Sequence, residues 1–141
     1  MTARGPRKVV VGTAVFGGGR PFPGVAERAA EVSSLVAEMA AAAASGTTRG
    51  GLDLVVLPEL VASPPGPVAS LRALSLDDPV FEVYRAVARR HGTYLVVTLD
   101  LAEDGVVSNA AVLLDRAGAV GACTARRTPS PPPGRPRSRA G

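Results

Sequence analysis

Short apolar runs along the chain alternate with longer segments in which apolar residues recur every three or four positions. The first pattern is typical of strands buried in a sheet, and the second of helices that bury one face. Two crossover units followed by a meander indicate an α/β fold with the order β-α-β-α-β-β-β. The predicted strands cover 8–15, 53–57, 94–101, 106–115 and 119–123, and the predicted helices cover 24–45 and 79–91.

The two predicted helices have recognisable ends and apolar stripes. Asp78 followed by Pro79 is typical of a helix N-cap with proline at the first helical position. Gly92 is a typical signal for the end of the same helix. The residues predicted to be buried are Val25, Ala29, Val32, Val36, Met39 and Ala43 in the first helix, and Val80, Val83, Tyr84 and Val87 in the second.

The excess positive charge of the chain lies at its C-terminal end. The net charge is +4, but residues 1–125 hold eleven basic and twelve acidic side chains, whereas 126–141 hold five arginines and no acid. This end is also rich in proline and has no large apolar residue. We therefore expect a domain at 8–123 followed by a disordered Pro/Arg-rich tail at 124–141. Nucleic acid is not an expected partner, although a small binding module with a basic arm stays an alternative.

Several reactive residue types occur only once, which limits the chemistry. Cys123 is the only cysteine, His91 the only histidine and Lys8 the only lysine. An internal disulfide and a metal site built on cysteine or paired histidines are therefore excluded. Cys123 is expected to be a buried, inert thiol. No apolar stretch approaches the ~20 residues that span a bilayer, so we expect a cytoplasmic protein without a membrane partner.

Glu59 ends the apolar run 52–59, Leu-Asp-Leu-Val-Val-Leu-Pro-Glu. Pro58 cannot donate to a sheet ladder, so it ends the strand and places Glu59 at the carboxyl edge of the sheet. In open α/β sheets, ligands and catalytic groups collect at this edge. A carboxylate there suits proton transfer, which makes Glu59 the candidate catalytic residue. A solvated glutamate in a loop is the alternative interpretation.

Four blocks in order make the chain resemble the N-terminal half of the carbon–nitrogen hydrolases, the nitrilase/amidase superfamily. The first strand and the helix that leads to Leu-Pro-Glu at 57–59 come first. Leu-Asp-Asp-Pro-Val-Phe at 76–81 and Ala-Arg-Arg-His-Gly-Thr-Tyr-Leu-Val-Val at 88–97 follow. The last block, 108–118, reads Ser-Asn-Ala-Ala-Val-Leu-Leu-Asp-Arg-Ala-Gly and is similar to the Asn-Ser-Ala segment of the family.

The resemblance implies half of a four-layer αββα sandwich and a hydrolase of small-molecule amides, nitriles or carbamoyl compounds. Family members use a glutamate, a lysine and a cysteine, without metal or organic cofactor. The resemblance places the glutamate on Glu59, as the general base that takes a proton from the thiol and returns it to the leaving amine. The lysine would neutralise the oxyanion that forms during the attack. Asn109 is expected to satisfy backbone groups near this site.

The chain departs from the family pattern near Cys123. A Gly-Lys-Tyr-Arg-Lys-like run carries the family's lysine, whereas residues 121–128 here read Gly-Ala-Cys-Thr-Ala-Arg-Arg-Thr. The family's cysteine lies further downstream, and Cys123 falls where the run has its aromatic residue. Arg126 or Arg127 would supply positive charge without placing a compact ammonium at the same point. We therefore expect a truncated, inactive hydrolase whose reading frame departs from the family near Cys123.

Two interaction hypotheses follow from the same departure. In the family, one face of this half-sheet packs on a second sheet, which the resemblance does not cover here. An uncovered apolar face favours association, either with a second copy to give a homo-oligomer or with an intact homologue. In the latter case the chain would be a pseudoenzyme or regulatory partner.

Overall fold

The computed structural model of the chain describes residues 8–16, 20–46, 50–64 and 73–127. These residues form one five-stranded sheet, in the sequence order of its strands, and two helices. The predicted α/β order is therefore confirmed. The elements are β1 (Val11–Thr13), α1 (Val25–Ser45), β2 (Leu54–Val56), α2 (Pro79–His91), β3 (Tyr94–Glu103), β4 (Val106–Leu114) and β5 (Val120–Arg127).

The two helices lie on the same face of the sheet. Strands β1, β2 and β3 are parallel neighbours, and β4 and β5 extend the sheet by antiparallel pairing. Because both crossovers run in the same direction with the usual right-handed sense, their helices cover one face, and α1 packs against α2 there. Val55 of β2 and Leu95 of β3 are fully buried on this side.

The opposite side of the sheet is exposed on β1, β2 and the beginning of β3 in the described part of the chain, and we call this area the open face. It is defined by residues that alternate with the buried ones, since successive side chains of a strand point to opposite faces. Val11, Val56 and Tyr94 mark it on β1, β2 and β3, with exposed fractions of 51%, 37% and 40%. The described half of the domain is therefore packed mainly on the side of the helices.

The ends of α2 follow the predicted signals. The Asp78 carboxylate accepts a hydrogen bond of 2.9 Å from the backbone N–H of Val80, and Pro79 occupies the first turn. Gly92 ends the helix in the left-handed region, at φ 58°. The predicted bounds 79–91 are confirmed, and those of α1 differ from the prediction by one residue.

The buried stripe of α2 is rotated relative to the prediction. Phe81, Tyr84, Val87 and Ala88 are buried, whereas Val83 is 37% exposed. Phe81 and Tyr84 lie three residues apart, on the same side of the helix, and their rings pack at 6.0 Å between centroids. The prediction that Val83 is buried is wrong because the large aromatic side chains, rather than the valines, decide which side faces the sheet.

The last strand is longer than predicted, and its cysteine is not buried. Strand β5 pairs with β4 as far as Arg127, opposite Ser108, so the predicted boundary between domain and tail at residue 124 falls inside the strand. Cys123 is exposed, which corrects the prediction of a buried thiol. The physical reason is position: β5 is the edge strand, and all residues of 121–126 are exposed. Residues 128–141 of the predicted tail lie outside the described residues.

Replacing two glycines with alanine tests the packing of the β4–β5 turn on α2. Gly105 and Gly118 both have positive φ, 75° and 78°, so alanine costs about 1–2 kcal/mol of unfolding free energy at either position. A Cβ at Gly118 would lie only 2.7 Å from the carbonyl oxygen of Arg85, whereas one at Gly105 has no neighbour within 4 Å. We expect Gly118→Ala to lose about 1–3 kcal/mol more than Gly105→Ala in urea unfolding. Equal losses would contradict the packing of this turn against α2.

Candidate active site

The turn that carries Glu59 is built along the edge of β3. Strand β2 pairs with β3 only through Val56, and the backbone beyond it keeps bonding to the same neighbour. The N–H of Leu57 donates to the carbonyl oxygen of Val96 at 3.2 Å, and the N–H of Ala62 donates to that of Thr98 at 3.2 Å. The segment between these two bonds bulges away from the ladder. Glu59 lies in this bulge, at the carboxyl end of β2, as predicted from Pro58.

The Thr98 hydroxyl closes the turn from inside. It donates a hydrogen bond to the carbonyl oxygen of Pro58 and accepts one of 3.3 Å from the N–H of Val61. One side chain thus bridges the residues on either side of Glu59 and Leu60. Leu60 has φ 52°, a left-handed conformation that is uncommon for a residue other than glycine. Such a conformation persists where the surroundings enforce it, and the Thr98 bridge is the enforcing contact here.

Asn109 of β4 contacts Glu59 directly. Its Nδ2 group donates a hydrogen bond to Glu59 Oε1 at 3.2 Å. This contact joins two of the sequence blocks, the end of β2 and the middle of β4. The expectation that Asn109 satisfies backbone groups is therefore wrong, because its amide reaches the carboxylate instead. Glu59 itself is exposed, so the carboxylate lies on the surface of the described structure.

A polar row crosses the sheet at the position of Asn109. Asp100 of β3 is directly opposite Asn109, and Asn109 is directly opposite Arg126 of β5. Residues that are directly opposite each other lie on the same face of a sheet, so Asp100 and Arg126 share the face of Asn109. Asp100 is not among the site residues predicted from the sequence. Its signal was an acidic residue inside the otherwise apolar strand 94–101, and the register that brings it to Asn109 follows from the hairpin turn at Asp104-Gly105.

Asp100 is buried although it is acidic. Only 7% of the residue is exposed, and its backbone N–H donates to the Ser63 hydroxyl at 2.7 Å. Among the described residues, no group donates a hydrogen bond to its carboxylate. Desolvation raises the pKa of the Asp100 carboxyl above its ordinary value of 3.8. Buried carboxylates with shifted pKa values concentrate at functional sites, which makes Asp100 a second candidate group.

The remaining reactive side chains lie away from Glu59. In the ladder between β4 and β5, Cys123 is directly opposite Val112, which is fully buried on the helix side of the sheet. Cys123 therefore lies on the sheet face opposite to that of Asn109. Desolvation and the nearby Glu103 carboxylate raise the pKa of its thiol. Lys8 precedes β1, at the amino end of the parallel strands, whereas Glu59 follows the carboxyl end of β2. The structure therefore brings neither residue to the glutamate.

Two cavities of the described structure lie away from Glu59. One of about 1150 Å³ is lined by residues of the loop after β1 and of α1, including Phe16, Glu27 and Arg28. A smaller one of about 270 Å³ lies at the β3–β4 turn. Within the described ranges, no three His, Cys, Asp or Glu side chains come together as a metal site. Neither α1 nor α2 is long and apolar enough to cross a membrane.

Comparison with known proteins identifies the family. The sequence model of the carbon–nitrogen hydrolase family matches residues 13–140. The match covers most of the chain, which therefore belongs to the carbon–nitrogen hydrolase family. No curated protein sequence matches the chain.

Several solved structures share the fold of this chain. A carbon–nitrogen hydrolase superfamily protein from Xanthomonas campestris is similar over 85% of this chain and 39% of its own, with a TM-score of 0.62 and 22% identity. A branch 10 member of the nitrilase superfamily from Saccharomyces cerevisiae is similar over 75% of this chain and 40% of its own. Its TM-score is 0.60, and the sequence identity is 12%. An N-terminal amidase is similar over 84% of this chain and 26% of its own, with a TM-score of 0.59 and 12% sequence identity. The chain thus spans between about a quarter and two fifths of the length of these proteins.

Substitution of Thr98 tests how the turn is held. Thr98→Val keeps the shape but leaves Pro58 O and Val61 N–H without their partner, at a cost of about 1–3 kcal/mol in unfolding free energy. We also expect the side-chain amide signals of Asn109 to move toward those of a solvated asparagine in NMR spectra, because the Glu59 turn loosens. Thr98→Ser keeps the hydroxyl and should retain the Asn109 signals. If serine and valine gave the same spectrum, the hydroxyl would not be what positions Glu59.

The raised pKa of Asp100 predicts a dependence of stability on pH. The folded carboxyl holds its proton more tightly than the unfolded one, so its contribution stabilises the fold below the unfolded pKa and is lost as pH rises through the folded pKa. We therefore expect Asp100→Asn to gain stability relative to the natural chain as pH rises from about 3.9. Urea unfolding at a series of pH values measures this difference. Asp104→Asn, an exposed position in the β3–β4 turn, is the control and should show no such trend.

Proposed function

We propose that this chain carries the general-base part of a carbon–nitrogen hydrolase site, with Glu59 as the base. The observation that supports the proposal is the hydrogen bond of 3.2 Å from Asn109 Nδ2 to Glu59 Oε1. It holds one carboxylate oxygen at the carboxyl end of the parallel strands and leaves the other available for a proton. A base in this position takes the proton of a nucleophile and returns it to the leaving amine.

The substrate class follows from the family rather than from a pocket. Carbon–nitrogen hydrolysis of a small amide, nitrile or carbamoyl compound needs the base, a cation for the developing oxyanion and a nucleophile. Among the described residues, Glu59 meets the first requirement. Neither Lys8 nor Cys123 reaches it, so we propose that the chain alone does not turn over such substrates.

Direct assays test the inactivity of the chain alone. We expect no ammonia or amine release above background from small amides, nitriles and carbamoyl compounds, with no difference between the natural chain and Glu59→Gln. The reason is that a base without an aligned nucleophile and cation has no reaction to catalyse. Turnover that Glu59→Gln abolishes would contradict the inactivity while supporting the base.

The role of Glu59 is tested by supplying the rest of the site. Residues 8–127 would replace the structurally matched segment of the Xanthomonas campestris protein, except that the host keeps its own residues at positions where family members carry the lysine. A folded chimera should hydrolyse substrates of the host, and Glu59→Gln should lower kcat by about 100-fold or more. Glu103→Gln, which removes the same charge from the exposed end of β3, is the control. Equal effects of the two substitutions would refute the base assignment.

A second candidate function is favoured by the open face. Val11, Val56 and Tyr94 expose apolar surface on three adjacent strands, which is typical of a surface that meets a partner. An intact homologue is the partner that this candidate proposes, since the matched structures are more than twice as long as the part that this chain covers. The chain would then act as a pseudoenzyme or regulatory subunit. The third alternative, a binding module with a basic arm, depends mainly on residues 128–141, outside the described residues.

A further inference from the structure

The outer side of β5 is a free strand edge within the described ranges. This strand has eight residues, it is the last strand of the sheet, and residues 121–126 are all exposed. A free edge presents a row of unpaired N–H and C=O groups, which is a template for pairing with another strand. Proline, lysine or a covering segment commonly blocks such pairing. Residues 120–127 contain neither proline nor lysine, and no described segment pairs with their outer side.

The register of the sheet shows which backbone groups of β5 point outward. On β3, the even-numbered residues from 94 to 102 bond to β2 and to the segments that follow it. The odd-numbered residues of β3 therefore bond to β4, because backbone groups alternate between the two neighbours of a strand. Across β4, the residues that bond to β5 are then the odd-numbered ones, and their partners are Ala122, Thr124 and Arg126. The N–H and C=O groups of Cys123 and Ala125 are left pointing outward.

A second copy of β5 is the strand that fits this edge. Two copies related by a twofold axis perpendicular to the sheet run antiparallel, and each presents the same outward groups to the other. The contact closes on itself and uses the whole length of the strand. The other edge strand of the described sheet, β1, has only three residues. Pairing of β1 with β5 of another copy therefore offers far fewer backbone bonds.

The outward groups also select the register of the two copies. Residues directly opposite each other share a face, so in a symmetric pair one residue of β5 must meet its own copy. With the axis at Thr124, Cys123 lies opposite Ala125 of the second copy, and Ala125 opposite its Cys123. Each of these two pairs exchanges both of its backbone hydrogen bonds. With the axis at Cys123, the same two residues would supply only one such pair.

The side chains of β5 allow this approach. Ala122, Cys123, Thr124 and Ala125 are small, so they do not block a neighbouring strand. Arg126 comes to lie opposite Ala122 of the second copy, and the two Arg126 residues are about 13 Å apart along the strand direction. The two charges of like sign are therefore well separated.

We propose that this chain forms a symmetric dimer in which two β5 strands pair antiparallel about Thr124 and join the two sheets into one. The partner is a second copy of this chain, and the contact is made by the outward backbone groups of Cys123 and Ala125. Thr124 meets its own copy at the axis, and two threonines in this position are a favourable cross-strand pair. The dimer goes beyond the proposed function, since its pairing does not involve Glu59.

Sedimentation and hydrogen exchange of the full chain test this dimer. We expect a monomer–dimer equilibrium in analytical ultracentrifugation. As the concentration rises through that equilibrium, the amides of Cys123 and Ala125 should exchange more slowly. Those of Thr124 and Arg126 bond to β4 at every concentration and should change much less. Dimerisation without this alternation would place the contact on another surface, and a monomer at every concentration would refute the dimer.

A proline on the outward side of β5 should block the dimer and spare the fold. Ala125→Pro removes an N–H that points away from β4, where an edge strand tolerates proline. Each copy loses one bond to the other, so the dimer dissociation constant should rise about tenfold or more. The circular dichroism spectrum of the monomer should be unchanged. Thr124→Pro, the matched control, removes an N–H that bonds to β4 and should lower the melting temperature of the monomer. A dimer that survives Ala125→Pro unweakened would contradict pairing through β5.

Opposite charges at the axis give a test that does not depend on proline. Thr124→Glu and Thr124→Lys each place two like charges directly opposite each other, which should weaken the dimer about threefold or more. A mixture of the two variants should form a heterodimer, because the charges at the axis then attract. Misfolded variants would show no such recovery. Without recovery in a mixture of two folded variants, Thr124 is not at the axis and the proposed pairing is wrong.

A substitution on the open face separates this dimer from association through that face. Val56 is 37% exposed there and lies on β2, away from β5. Val56→Ser should leave the dimer dissociation constant within about twofold, as is usual for substitutions outside a contact. A dimer that is lost with Val56→Ser but kept with Ala125→Pro would assign the contact to the open face and overturn the inference.

Discussion

The backbone bonds between β3 and the segment after β2 are the constraint on which the site depends. Strand β2 pairs with β3 for only three residues, and Pro58 then interrupts the ladder. The chain nevertheless stays on the same neighbour, through Val96, the hydroxyl and carbonyl of Thr98, and the backbone N–H of Asp100. A free loop would leave Glu59 mobile in solvent. Because the loop is held at both ends of the bulge, the carboxylate has a defined position from which Asn109 can reach it.

Much of this fold is predictable from local sequence. The caps of α2, the apolar runs of β2 and β3 and the turn at Gly105 each contain their own physical signal, and the structure has these elements close to the predicted positions. The errors occur where a distant partner decides. The extent of β5 depends on pairing with β4 rather than on its own small and charged side chains. The buried side of α2 depends on how Phe81 and Tyr84 fit against the neighbouring elements.

The candidate site likewise has one part that local sequence predicts and one part that depends on distant pairing. Glu59 was predictable because Pro58 ends a buried strand next to it, a signal contained in two adjacent residues. The roles of Asn109 and Asp100 were not predictable from local sequence, since they follow from the register between β3 and β4. A shift of β4 by one residue would turn the Asn109 side chain to the other face of the sheet, away from that of Asp100. Register is fixed by the whole hairpin and by the buried Leu99 and Val112, so a site built on it becomes visible only in three dimensions.

The two buried aspartates of the sheet differ in the groups that contact their side chains. Asp53, near the amino ends of the parallel strands, accepts hydrogen bonds from the N–H of Val10 and from Arg116. These bonds connect β1, β2 and the β4–β5 turn. Asp100, near the carboxyl end of β2, lies directly opposite Asn109, and no residue in the described ranges donates a hydrogen bond to its carboxylate. Desolvation raises the pKa of the Asp100 carboxyl, so this residue couples the stability of the fold to pH. The two aspartates therefore differ in their partners: the charge of Asp53 is bonded within the fold, whereas Asp100 lies directly opposite Asn109, which binds the Glu59 carboxylate.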